Sequence, residues 1–313
     1  MQKMGRENET SVEGFTLLGL FPEMSHAGFL ICTILLVYII AITGNTTLVL
    51  LISLDPHLHS PMYFLLSQLS LMDISLISTT VPKMLTNFFS GTSDISYICC
   101  VTQVYFHTTL GGSECILLTL MAYDRYVAIS NPLRYVVTMN FEVCLQMAIV
   151  SWLGGALNSL IQTIYTMHFH RCGSREVHHF FCELEAVLEL SCEDTSTYEK
   201  VVFVTGVVLI LIPLSLILAS YFFIFLCVLH LHSTKARYKA LITCSSHLMV
   251  VFLYFVPTIF IYMIPRSLHT SKQDEFLSVF YTILTPMLNP LIYSLRNKEV
   301  GKALKKILGT VLS

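Results

Sequence analysis

Apolar residues in this chain come in continuous runs and not in alternation. Uncharged stretches long enough to cross a bilayer, about 20 residues, run from Met24 to Leu54, Val143 to His170, Val201 to Thr234, Ala240 to Pro265 and Phe276 to Leu295. Two further apolar runs are interrupted. Met62 to Leu85 carries Asp73 and Lys83, and Tyr97 to Ile129 carries Glu114, Asp124 and Arg125. The pattern predicts an all-α membrane protein, a seven-transmembrane helix bundle with spans at about 24–54, 62–85, 97–129, 143–166, 201–230, 240–265 and 276–295. A tail at 1–23 precedes the bundle (24–295), and 296–313 follow it. Strands are not expected, because no run alternates. No repeat of one half in the other marks a transporter.

Composition strengthens this reading. Of 313 residues, 54% are hydrophobic and 12% charged, about half the charge of a soluble domain. A net charge of -2 and the lack of a basic run leave no case for a nucleic-acid partner. With the N-terminus outside, ten Lys and Arg fall inside and eight outside, a small positive-inside excess. The sequon Asn8-Glu9-Thr10 supports the same orientation, whereas Asn45-Thr46-Thr47 lies within the first span. The residues before Pro22 lack an apolar signal region, so the first span is expected to direct insertion.

Cysteines divide by side. Cys172, Cys182 and Cys192 sit in the long connection after the fourth span, and Cys99 and Cys100 open the third, where an oxidising compartment favours disulfides. Their connectivity is not set by spacing. Cys32, Cys115, Cys144, Cys227 and Cys244 read as reduced packing residues. The string "HHFFC" with other histidines lacks tetrahedral ligand spacing and makes a poor metal site.

Ionisable groups within a span cost about 2.5–3.5 kcal/mol on insertion scales, so each needs a reason. Asp73 and Glu114 lie at similar depth and either share a cation or proton, or join a hydrogen-bonded network with Ser70, Ser113 or Asn289. One Asp and one Glu do not make an aspartyl-protease dyad. Asp124-Arg125 closes the third span. No nucleophile accompanies it, and an arginine does not give up its proton, so catalysis is the weakest reading. An ion pair that opens when helix ends separate is the strongest. In "PMLNPLIYSLRN", Pro286 and Pro290 should kink the seventh span, with Asn289 supplying hydrogen bonds and Tyr293 one turn below. Beyond it, Val300, Leu304, Ile307 and Leu308 alternate with lysines at helical spacing, as in a short amphipathic helix on the inner leaflet.

Asp124-Arg125-Tyr126 and Asn289-Pro290-x-x-Tyr293, on seven spans, resemble the rhodopsin-like (class A) G-protein-coupled receptors. "LHSPMYFLLSQLSLMD", "MAYDRYVAISNPLRY", Ser220-Tyr221, "KALITCSSHL" and "PMLNPLIYSLRNKEV" are similar, in order and over nearly the whole chain, to odorant receptor signatures. Gln68, Ser130 and Phe255 depart from the usual residues, which bears on ligand details and not on class. The resemblance implies a non-enzymatic plasma-membrane receptor, glycosylated at Asn8, with its N-terminus outside, in olfactory sensory cilia. It implies small volatile ligands and an olfactory stimulatory G protein that raises cyclic AMP. It also implies disulfides Cys100–Cys182 and Cys172–Cys192, an internal sodium ion at Asp73 and Glu114, no other cofactor, and a switch built from Asp124, Arg125, Tyr126, Tyr221, Asn289, Pro290 and Tyr293.

On that architecture the ligand is expected in the outer half of the bundle. Val104, His107, Thr108 and Gly111 share a face of the third helix. Val204, Val207 and Val208 come from the fifth, Tyr254, Thr258 and Ile261 from the sixth, and Phe280 and Tyr281 from the seventh. An apolar cavity with few polar groups suits a small, weakly polar ligand. His107 reads equally as a ligand contact or as a histidine satisfied by a neighbouring helix.

Overall fold

A computed structural model describes residues 14–20, 27–170, 174–230, 233–264, 268 and 270–311. Asn8, the expected glycosylation site, and Cys172 lie outside the described residues. The long helices are α1 (Ala27–Leu54), α2 (Pro61–Ser90), α3 (Tyr97–Ser130), α5 (Phe141–His168), α7 with α8 (Ser196–Gly206, Ile212–Leu229), α9 (Thr234–Met263), and α10 with α11 (Ser271–Val279, Thr285–Arg296). Short α4 (Tyr135–Thr138) and α6 (Leu184–Leu188) sit in connections, and α12 (Lys298–Val311) ends the described chain. This is a seven-helix bundle. Six of the long helical segments are apolar enough, by length and composition, to cross a membrane. The other, α3, is the longest single helix at 34 residues, and it packs against α2, α5, α8 and α9. Surrounded by protein rather than lipid, it holds polar side chains that a lipid-facing helix would not.

Several helices outrun the expected spans. α2 continues to Ser90 through Pro82, and α9 begins at Thr234. Polar ends extend past the apolar run because backbone hydrogen bonding does not stop where lipid does. α7 and α8 are joined by a π-helical segment, Val207–Leu211, and α10 and α11 by another, Phe280–Leu284. Each is followed within two residues by a proline, Pro213 or Pro286. The wider turn accommodates a ring that offers no N–H to the preceding turn. Asn45, buried in α1, donates to Pro286 O at 2.8 Å and holds that junction.

The apolar runs are helical, as expected, and the short strands lie outside them. A small sheet of β1 (Phe15–Leu17), β2 (Asp94–Ile95) and β3 (Glu176–Val177) runs in the order β2-β1-β3, with β1 antiparallel to β2 and parallel to β3. It covers one end of the bundle. Gly14 enters β1 at φ 142°, and a Cβ there would lie 2.3 Å from Ile95 O. The Cys100–Cys182 disulfide fastens the same end, with Phe15, Leu17, Val177, Leu184 and Val187 packed around it. Together these segments form a lid.

Candidate ligand cavity and activation switch

Beneath the lid lies a cavity of about 80 Å³. His107, Thr108 and Gly111 of α3, Tyr254 and Thr258 of α9, and Tyr281 of the π segment line it. Cys115, Asn158, Gln162, Leu184, Thr205 and Leu209 complete much of the wall. No Asp, Glu, Lys or Arg is among the lining residues. Such a chamber suits an uncharged guest.

His107 is buried, and its Nε2 lies 2.8 Å from the Tyr281 hydroxyl. Its ring sits 4.6 Å from that of Phe181 in the lid. Both readings of His107 therefore meet, since it is satisfied by a neighbouring helix and also borders the cavity. Tyr254 donates to Gly111 O, and Cys115 Sγ lies 3.5 Å from the same hydroxyl.

The other residues named for the pocket fall elsewhere. Val104 is fully buried under the lid, against the disulfide. Ile261 borders a second cavity nearer the mouth. Val204 and Val208, 60% and 52% exposed, point away from the bundle. Val207 and Phe280 are half-buried and outside the lining. On the fifth helical segment, Val202, Thr205, Gly206, Leu209 and Ile210 turn inward instead. The segment is dominated by Val, Leu, Ile and Phe beyond Lys200, so no polar face marked which side was buried.

The lid is wired to the cavity by residues that sequence reasoning missed. Gln103 donates to Thr79 O at 2.8 Å and accepts from the Cys182 N–H at 2.8 Å. Tyr262 donates to Glu183 at 3.0 Å and lies 3.5 Å from the Tyr281 hydroxyl. The signal for Gln103 was a buried amide one turn after Cys100. His179 is buried within the lid, its Nε2 3.3 Å from Glu183. Burial, with His107 nearby, pushes its imidazole down to about 3.

At the opposite end, Arg125 Nε donates to Asp124 at 3.0 Å, and the guanidinium makes a second contact with the same carboxylate. Asp124 is 1% exposed. Its other oxygen accepts from the Tyr135 hydroxyl at 2.7 Å, a partner on α4 that spacing along α3 could not reveal. Burial and the Asp124 charge push the Tyr135 phenol above its ordinary value. Tyr221 lies 2.8 Å from His247 Nδ1, while the Tyr293 hydroxyl is buried without a hydrogen-bond partner. Tyr126 packs against the core near Phe223. Asp124, Arg125, Tyr126, Tyr135, Tyr221 and Tyr293 thus lie toward one end of the bundle, with Arg125 engaged by Asp124.

Between the two ends, Asn289 donates to both Asp73 oxygens at 3.0 Å. Glu114 Oε1 and Asn289 Oδ1 are buried with no hydrogen-bond partner. These orphaned oxygens fit a small hard cation, which takes oxygen ligands. Pro290 lies inside α11, one residue beyond Asn289.

A sequence profile described as olfactory receptor matches residues 34–310. The chain is 53% identical over 306 residues to human (Homo sapiens) olfactory receptor 2M2, covering 98% of this chain and 88% of that one. It is 52% identical over 306 residues to human olfactory receptor 2M3, covering 98% of each. Against mouse (Mus musculus) olfactory receptor 2V1 the figure is 52% over 299 residues, 96% of this chain and 95% of that one.

Proposed function

Because the chain belongs to the olfactory receptor family, and is thus a multi-pass G-protein-coupled odorant receptor and not an enzyme, we propose that its ligand is a small, uncharged, weakly polar molecule held in the cavity beneath the lid. His107 and Tyr281 supply the polar contact and Tyr254 and Thr258 the opposite wall. The observation that carries this reading is the His107–Tyr281 pair bordering a cavity with no carboxylate in its lining. The disulfide and lid face outward, with the N-terminus outside at the plasma membrane of olfactory sensory cilia. The orientation is supported by the modest positive-inside excess and by a disulfide at that end.

Transmission requires the ligand to favour the open-inside state over the closed one. In the closed arrangement Arg125 is occupied by Asp124. When the inner end of α9 moves away, the guanidinium is freed for an olfactory stimulatory G protein, and cyclic AMP rises. A sodium ion held by Asp73 and Glu114, with Asn289 beside them, would offset one of the two buried carboxylate charges. Around it, this chain's own groups keep α2, α3 and α11 together.

The test is a cyclic AMP screen of neutral volatiles on cells expressing the receptor, with His107→Ala and Arg125→Ala beside it. Losing one hydrogen bond of about 1 kcal/mol should weaken the potency of a hit about fivefold in His107→Ala. Arg125→Ala should abolish the response at matched surface level. A full response from Arg125→Ala would refute the latch.

A further inference from the structure

We propose that the second cavity, of about 320 Å³, is the antechamber through which ligand reaches the inner one, and that Met263 resting on Gly206 is the gate between them. The inference rests on the reading of the inner cavity as the ligand site. The antechamber lies among α6, the start of α7 and the end of α9. Val202 and Tyr262 line both cavities, so the two are separated by about one layer of side chains. Straight overhead, access is blocked. The disulfide, β1 and β3 pack the lid into a cluster in which Leu17, Val177 and Cys182 are at most 1% exposed.

The partition itself has one fixed and one movable part. Tyr262 is tethered on both sides, to Glu183 and to Tyr281. Met263 borders the antechamber and Gly206 borders the inner cavity. A Cβ added at Gly206 would meet Met263 Cε at 2.4 Å, so the methyl group lies directly on the glycine backbone. Only glycine permits that contact. A methionine turns about three side-chain bonds and carries no charge, so it swings aside for a small apolar guest more readily than the tethered tyrosine. The gate therefore passes neutral volatiles and limits how quickly they arrive, without itself fixing where they rest.

Cys115, a free thiol in the inner wall, reports passage without any agonist. The full-length receptor in nanodiscs would be treated with methyl methanethiosulfonate, and Cys115 modification followed by peptide mass spectrometry. Met263→Ala should raise the rate at least threefold, and Met263→Trp should lower it at least threefold. Leu188→Trp, which fills the antechamber, should also lower it threefold. Phe203→Trp, in the same wall, replaces that variant if it fails to fold. Rates within threefold of the unmodified chain for both Met263 variants would overturn the gate. An unchanged rate with the antechamber filled would overturn the route and point to arrival from the lipid. The underlying reading fails separately, if an agonist leaves Cys115 unprotected while the gate variants still alter the rate.

Discussion

Replacing Tyr135 by Phe removes one hydroxyl and keeps the ring. In the closed receptor that hydroxyl donates to Asp124 at 2.7 Å, the acceptor being a carboxylate that is 1% exposed and already engaged by Arg125. A hydrogen bond to a charged group contributes about 1.5–3 kcal/mol. Tyr135 is half-buried, which argues for the lower end, about 1.5 kcal/mol. The bond belongs to the closed arrangement, so its loss shifts the closed-to-open ratio by about tenfold. A receptor open about 1% of the time at rest would then be open about 10% of the time. Ligand-independent cyclic AMP, normalised to surface level, should rise several-fold. Since α4 lies beside Asp124-Arg125, the proposed coupling site, a readout free of G protein is also needed. Cys244, buried in α9, should be alkylated faster in the variant as that helix end separates. Unchanged basal signalling together with an unchanged Cys244 rate would show that Tyr135 does not hold the latch.

Other outcomes follow from the lid. Gly14→Ala should cost about 1–3 kcal/mol, because its backbone lies in a region almost reserved for glycine and the new Cβ would strike Ile95 O. Faster amide exchange at Asp94–Ile95 and Glu176–Val177 would report the loss, and unaltered protection would contradict it. The folded lid keeps His179 neutral, its pKa lowered from 6.5 to about 3. The lid's packing is therefore fully stable above about pH 6.5 and weakens as pH falls toward 3, by about 1 kcal/mol at pH 5.5. Exchange across residues 179–188 should quicken between pH 7.5 and 5.5. Equal protection at both would mean that His179 is already charged against Glu183.

Long-range chemistry divided what was readable in the chain from what was not. The bundle was legible because lipid imposes a length and a composition on each span. Asp124-Arg125 and Asn289-Pro290 stood out because polar groups in apolar helices need a reason. His107, Thr108 and Gly111 were placed on the cavity side because Cys100 fixed the phase of α3. No such anchor existed on the fifth helical segment, where a uniformly apolar surface left Val204 and Val208 indistinguishable from Thr205 and Gly206 as cavity neighbours. The sheet was invisible for another reason. Two- and three-residue strands carry no periodicity, and their partners lie far apart in the chain. Gln103, Tyr135 and Tyr262 act across elements, so spacing within one helix did not reveal them.

The order of the sheet governs assembly. β1 is synthesised first, yet it is the middle strand, so it waits unpaired until β2 and then β3 arrive from much later in the chain. Pairings between such distant segments form late, and the roof closes only after most of the bundle stands. Anything fused ahead of residue 14 would hang from the keystone of that roof. A bulky N-terminal reporter would therefore loosen the roof before it perturbed the bundle.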